Sequence, residues 1–265
     1  MDKLLSRLST SLCIATGVIL TSSVMLPAEA FTITQTTDTA GNPAQPLWTV
    51  GMTQDDVGGS FMTNWLLPAS PSDPYETLTQ DLSASATYTL SAFTNTYMDL
   101  TISLSNTTIL SQLSNANIMS FGFGVDPNAT GVSFLTEGNV FDDVRLNSNP
   151  NFTGGFKNID ICVYAAQNCA GGKINQGLVA GATDTFSLRI FGDFSTGTAS
   201  LGSSSATLSD FPIKFQTSAG SYQLAGSGHV EEVPEPLTIL GTGLALAFGA
   251  GLKKEYDKRK KSLEA

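Results

Sequence analysis

The sequence predicts an all-β ectodomain, a two-sheet β-sandwich or jelly roll, flanked by an N-terminal signal helix and a single C-terminal transmembrane helix. Three observations lead there. Apolar residues alternate with Thr, Ser or Arg through Tyr88, Leu90 and Ala92, through Leu100, Ile102 and Leu104, and through Phe186, Leu188 and Ile190, the period of half-buried strands. Between such runs stand turn-forming clusters such as Asp73-Pro74, Asp126-Pro127-Asn128 and Phe152-Thr153-Gly154-Gly155. Between the two apolar ends no window carries a helical period, and no repeat recurs at fixed spacing, which argues against a propeller or a β-helix.

Residues 1–30 read as a signal peptide. Lys3 and Arg7 precede the largely apolar stretch 12–26, which runs into Pro27, Ala28, Glu29 and Ala30. Small side chains at Ala28 and Ala30 fit the A-x-A pocket of signal peptidase, so Phe31 is expected to begin the mature chain; a retained N-terminal anchor is the alternative. Candidate strands follow at 31–36, 60–67, 88–92, 100–104, 117–125, 139–146, 159–165, 186–190, 207–215 and 221–230. These nine or ten strands with short turns make a sandwich of residues 31–225. The Ser- and Gly-rich run 195–205 is expected to be a loop, and 226–236 a linker ending in Val233, Pro234, Glu235 and Pro236. Residues 237–252 are sixteen uncharged residues rich in Leu, Ala and Gly. As a helix they reach about 24 Å, slightly short of the ~30 Å hydrocarbon core. The basic tail 253–265 then holds Lys253, Lys254, Lys258, Arg259, Lys260 and Lys261, which places it in the cytoplasm and the main domain outside.

Charge and composition exclude whole classes of function. The 265-residue chain carries 13 basic and 23 acidic residues. Within 31–235 there are only five basic residues against eighteen acidic ones, a net charge of minus 13. Such a surface repels a phosphate backbone, so no nucleic-acid partner is expected. A single histidine, His229, excludes most catalytic zinc sites and the two-histidine iron triad, and on a flexible linker it cannot serve as a general base. No catalytic residue is assigned. Cys162 and Cys169 are the two cysteines left after signal cleavage, and in an exported chain an even count favours a disulfide.

Two further constellations have competing readings. Asp126, Asn128, Thr130, Gly131 and Glu137 fit positions 1, 3, 5, 6 and 12 of a calcium loop, with Asp142 and Asp143 close behind. The flanks FGFGV and FDDV read as strands rather than helices, and a plain Asp-Pro-Asn turn explains the same residues, so no cofactor is assigned and calcium stays the minor alternative. Trp48, Trp65, Tyr75 and Tyr97 offer either a sugar-stacking platform or ordinary core and rim aromatics.

The tail VPEPLTILGTGLALAFGAGLKK, a Pro-Glu-Pro tripeptide before a short Gly-rich apolar helix and a basic end, resembles the PEP-CTERM sorting signal of Gram-negative bacteria, in wording that looks cyanobacterial. The resemblance implies handling by an exosortase, a membrane transpeptidase-like enzyme that cuts near Pro234, Glu235 and Pro236. A plain stop-transfer anchor is the alternative. FTITQ at Phe31, SFGFGVDPN at Ser120, and GGF with IDICVYA between 154 and 165 are similar to the cyanobacterial cistern family PEP-CTERM proteins. That resemblance implies secretion and surface display without implying a reaction. The expected function is therefore a non-enzymatic, surface-displayed or extracellular-matrix protein, held in the inner membrane only as a precursor. Its expected partners are signal peptidase, an exosortase-type enzyme and extracellular polysaccharide. A carbohydrate-binding module is the alternative. A secreted hydrolase, which needs two carboxylates about 5 to 9.5 Å apart in a cleft, is a more distant one.

Overall fold

Alternation buries one face of a strand and leaves the other to water, so strands of this kind need a second sheet to cover them. A computed structural model describes residues 31–70, 78–146, 152–195 and 204–230. Fourteen strands lie among them: β1 (Thr32–Ala40), β2 (Gln45–Thr53), β3 (Ser60–Leu67), β4 (Leu82–Phe93), β5 (Tyr97–Asn106), β6 (Ala116–Asp126), β7 (Gly131–Thr136), β8 (Asp143–Leu146), β9 (Ile161–Tyr164), β10 (Thr183–Phe191), β11 (Ser205–Ser209), β12 (Pro212–Thr217), β13 (Ser221–Ala225) and β14 (Ser227–Val230). They form two antiparallel sheets of a β-sandwich. In the first, β1, β2 and β11 lead to β6, which also pairs with β12 and β9; β13 joins β12 and β8 joins β9. The second runs β14-β3-β4-β5-β10-β7.

The core lies between the sheets. Phe61 of β3 stacks on Tyr88 of β4 with centroids 4.8 Å apart, and Tyr88 meets Phe123 of β6 edge-on at 6.2 Å across the gap. Phe121 of β6 approaches Phe186 of β10 at 5.8 Å. On β6 these phenylalanines alternate with Gly122 and Gly124, and the alternation has a steric cause. A Cβ on Gly122 would lie 2.4 Å from the Ile161 carbonyl oxygen, and one on Gly124 would lie 2.3 Å from that of Asn158. The phenylalanines fill the core while the glycines admit the segment crossing the outer face. A second, smaller core sits outside the first sheet, with Leu47, Phe156, Ile159, Cys162 and Cys169.

The expected strands at 60–67, 88–92, 100–104, 117–125 and 186–190 stand within β3, β4, β5, β6 and β10, those at 31–36 and 159–165 overlap β1 and β9, and five regions depart from expectation. The run 207–215 is broken at Asp210 and Phe211, whose φ values of 69° and 41° are left-handed. Hydrogen bonds hold the break: Asp210 N–H donates to Trp48 O at 2.8 Å, and Phe211 O accepts from Trp65 Nε1 at 2.8 Å. The run 221–230 is divided at Gly226, where a Cβ would meet the Phe211 Cβ at 2.9 Å. There the chain passes from the first sheet to the second, so 227–230 is edge strand β14 rather than linker. The run 139–146 becomes a strand only at Asp143, because the N–H groups of Asn139, Val140 and Phe141 donate to the Asp184 carboxylate instead of a ladder. Strands β2 and β7 were not expected. Part of the loop assigned to 195–205, the signal peptide 1–30, the sorting motif, the transmembrane helix 237–252 and the basic tail lie outside the described residues. Among the described residues no helix is long and apolar enough to cross a membrane.

Candidate functional site

The chain enters and leaves the sandwich at one place. The Phe31 ring packs edge-on against Phe61 at 5.2 Å, and the backbone of Val230 pairs with that of the same Phe61. Close by, Thr53 and Asp56 close a tight turn. The Asp56 carboxylate accepts from the Thr53 N–H at 2.6 Å and from its hydroxyl at 3.0 Å, the reciprocal contact of a capping box. Gly59 carries the chain from that turn onto β3. A Cβ there would lie 3.1 Å from the Phe31 ring, so the turn and the first residue of the domain are packed together.

Beside this entry point is a polar groove, built by register. Thr32, Gly51, Thr207 and Asp126 are direct partners across β1, β2, β11 and β6, so their side chains share one face. Thr53 and Ser205 pair one row further along the same face. Gly51 supplies no side chain, and the gap in the row is the floor of a groove of about 320 Å³ lined by those residues and Asp56. Its chemistry is that of hydroxyls with two carboxylates, which suits hydrogen bonding to a polyhydroxylated ligand. Asp160 stands behind it. Its carboxylate accepts from the Val125 N–H at 2.7 Å, and burial, with a smaller contribution from the charge of Asp126, raises its pKa. Further along the sheet, burial and then the charge of Asp38 push Asp210 up to about 6.

The structure sorts the residues singled out by sequence. Cys162 and Cys169 are joined, with Cα atoms 6.2 Å apart, and the bridge is buried among Leu47, Phe156 and Ile159. The calcium loop is not formed. Residues 131–136 are strand β7, paired with β10, and a six-residue strand travels about 20 Å. That extension carries Glu137 away from Asp126 instead of wrapping both round one ion. Among the described residues no group of three or more His, Cys, Asp or Glu stands together to hold a metal. The aromatic platform is not assembled either. Trp65 is buried in the second sheet, Trp48 is half-buried in the first, and Tyr97 lies under the Arg189 guanidinium at 4.1 Å. Tyr75 lies outside the described residues. His229 stands on β14 with its Nδ1 3.1 Å from Asn64 Nδ2.

Sequence reasoning missed the groove. Thr53-x-x-Asp56 is a capping signature and Gly51 interrupts an apolar strand, two signals that mark a turn and an open position. Neither reveals that residues 32, 126 and 207 share the row, which is long-range register. No family model, curated protein or solved structure matches the chain.

Proposed function

We propose that the chain is an exported PEP-CTERM protein whose β-sandwich is displayed at the cell surface or in the extracellular matrix. In this reading residues 1–30 direct export, helix 237–252 holds the precursor in the inner membrane, and an exosortase cuts near Val233, Pro234, Glu235 and Pro236. The domain itself performs no catalysis. The observation that carries the reading is the position of the two ends. Phe31, the expected first residue of the mature chain, and Val230, close to the motif, both flank Phe61. Two membrane-directed segments leaving one pole let the domain sit upright on a single bilayer. The Cys162–Cys169 bridge suits an oxidising compartment outside the cytoplasm.

The test is the intact mass and location of the protein recovered from cells. Sorting removes about 29 residues beyond Pro236, counted from the sequence, and releases the domain from the inner membrane. Changing Pro234, Glu235 and Pro236 to Ala then traps an uncut precursor there. A simple anchor predicts no change in size or place, and a full-length C-terminus on wild-type protein from cells with an active exosortase overturns the proposal.

A further inference from the structure

The polar groove beside the chain ends holds an oxygen that the fold leaves unused. Asp56 lines this groove and is only 5 % exposed. Its Oδ2 accepts both hydrogen bonds from Thr53, whereas its Oδ1 is buried without a hydrogen-bond partner. A buried carboxylate oxygen with no donor is costly, so a fold that keeps one beside a groove has an acceptor to offer a ligand. Asp126, exposed on β6, lines the same groove.

Register sets the spacing of the two acids. β11 stands between β2 and β6, so the strand carrying Asp126 lies two strand spacings, about 10 Å, from the strand that leads into Asp56. Thr53, Ser205 and Thr207 line the groove between them, and Thr32 stands beside Gly51 on β1. Carboxylates spread in this way flank an extended ligand rather than gather round one ion, whose oxygen ligands stand at about 2.3 to 2.6 Å.

Chemistry narrows the ligand. A carboxylate only accepts, so groups that face Asp56 and Asp126 must donate. A hydroxyl both donates and accepts, so a ligand matched to the four Ser and Thr side chains needs both capacities, which an ammonium lacks. No Lys, Arg or His lines the groove, and residues 31–235 carry net minus 13, so anions are repelled. The exposed ring of Pro127 offers an apolar patch to C–H groups. We infer that the groove binds a neutral saccharide, whose hydroxyls donate to the two aspartates and exchange hydrogen bonds with the Ser and Thr side chains between them. The volume of about 320 Å³ falls in the range of small-ligand sites, about 300 to 1,000 Å³. Sugar recognition then rests on a row across four strands and not on the dispersed aromatic side chains.

Gly51, the floor of the groove, supplies the test. A Cβ there would lie 3.6 Å from the Thr32 Cβ, an ordinary contact, and valine suits a strand, so Gly51→Val fills the groove and leaves the sheet intact. The probes are neutral, uronate-bearing and amino-bearing oligosaccharides on an array, offered to the full chain in a detergent without a sugar headgroup. Each hit is then titrated by calorimetry with and without EDTA. Wild type is expected to bind neutral glycans alone, whether or not EDTA is present. Gly51→Val is expected to weaken that binding at least about tenfold, and Asp126→Ala at least about threefold, neither with a lower melting temperature. Should Gly51→Val melt early, Asp126→Ala decides, because its position is exposed. No neutral glycan bound by wild type, equal binding by both variants, preference for charged glycans, or binding abolished by EDTA overturns the inference. Tail cleavage is read separately by mass, so failure here leaves the sorting proposal untouched.

Discussion

Asp210 is held in a left-handed backbone conformation that Asn also tolerates, and its carboxyl is raised from 3.8 to about 6 by burial and by Asp38. A raised acid stabilises the fold fully below its unfolded pKa and ceases to do so as pH rises through the folded value. Between pH 4 and 6.5 the domain therefore loses stability from this group. A shift of this size would correspond to about 3 kcal/mol if fully buried; screening of the exposed part reduces it to about 1 kcal/mol. Asp210→Asn is expected to stabilise the protein by that amount at pH 7 and by little at pH 4, read from urea midpoints at the two pH values. Equal midpoint shifts would show that charge is not the cause. Asp184 is also buried, its oxygens accepting from the N–H groups of Asn139, Val140, Phe141 and Thr185. Sequence gives both simply as aspartates within or beside predicted strands. Their different surroundings come from partners brought in by folding, which spacing along the chain does not encode.

Strands were legible where one face is buried and the other is not, as in β4, whose residues alternate between buried and half-buried from Leu82 to Leu90. Legibility failed at β2, whose apolar residues do not keep to one face. β2 packs Leu47 into the small outer core and Val50 into the main one, so its apolar residues fall on both parities. The break between β11 and β12 was hidden for a different reason. Asp210 and Phe211, not Gly or Pro, supply the left-handed angles, with Trp48 and Trp65 taking up the freed backbone groups. The disulfide was legible from the cysteine count and the expectation of export. Closing its eight-residue loop contributes about 2.5 kcal/mol in the chain-entropy model. Replacing Cys162 and Cys169 together by Ala is expected to lower unfolding free energy by about 2 to 3 kcal/mol. A reductant should lower the wild-type midpoint and leave the variant unmoved; no effect on the wild type would count against the bridge.

The proposed address rests on contiguous segments of sequence, whereas the groove draws Thr32, Gly51, Asp56, Asp126 and Thr207 from distant parts of the chain. Phe31 and the backbone of Val230, at the two ends of the described domain, meet at Phe61 beside the polar groove. The same geometry sets a timetable for folding. β14, the last described strand, touches β1, the first, and its pairing with β3 finishes the second sheet. Contacts between the two ends of the domain close late and slowly, since nearly two hundred residues must be brought into a loop. A chain crossing a membrane from its N-terminus cannot complete this sandwich until residue 230 has emerged. Under the proposed export, such a chain crosses unfolded and folds once its last strand has emerged. Translocation intermediates arrested before β14 are expected to stay sensitive to protease, with protection arriving only when Ser227–Val230 is free to pair. Protection of an intermediate that lacks β14 would mean that the first thirteen strands fold without it.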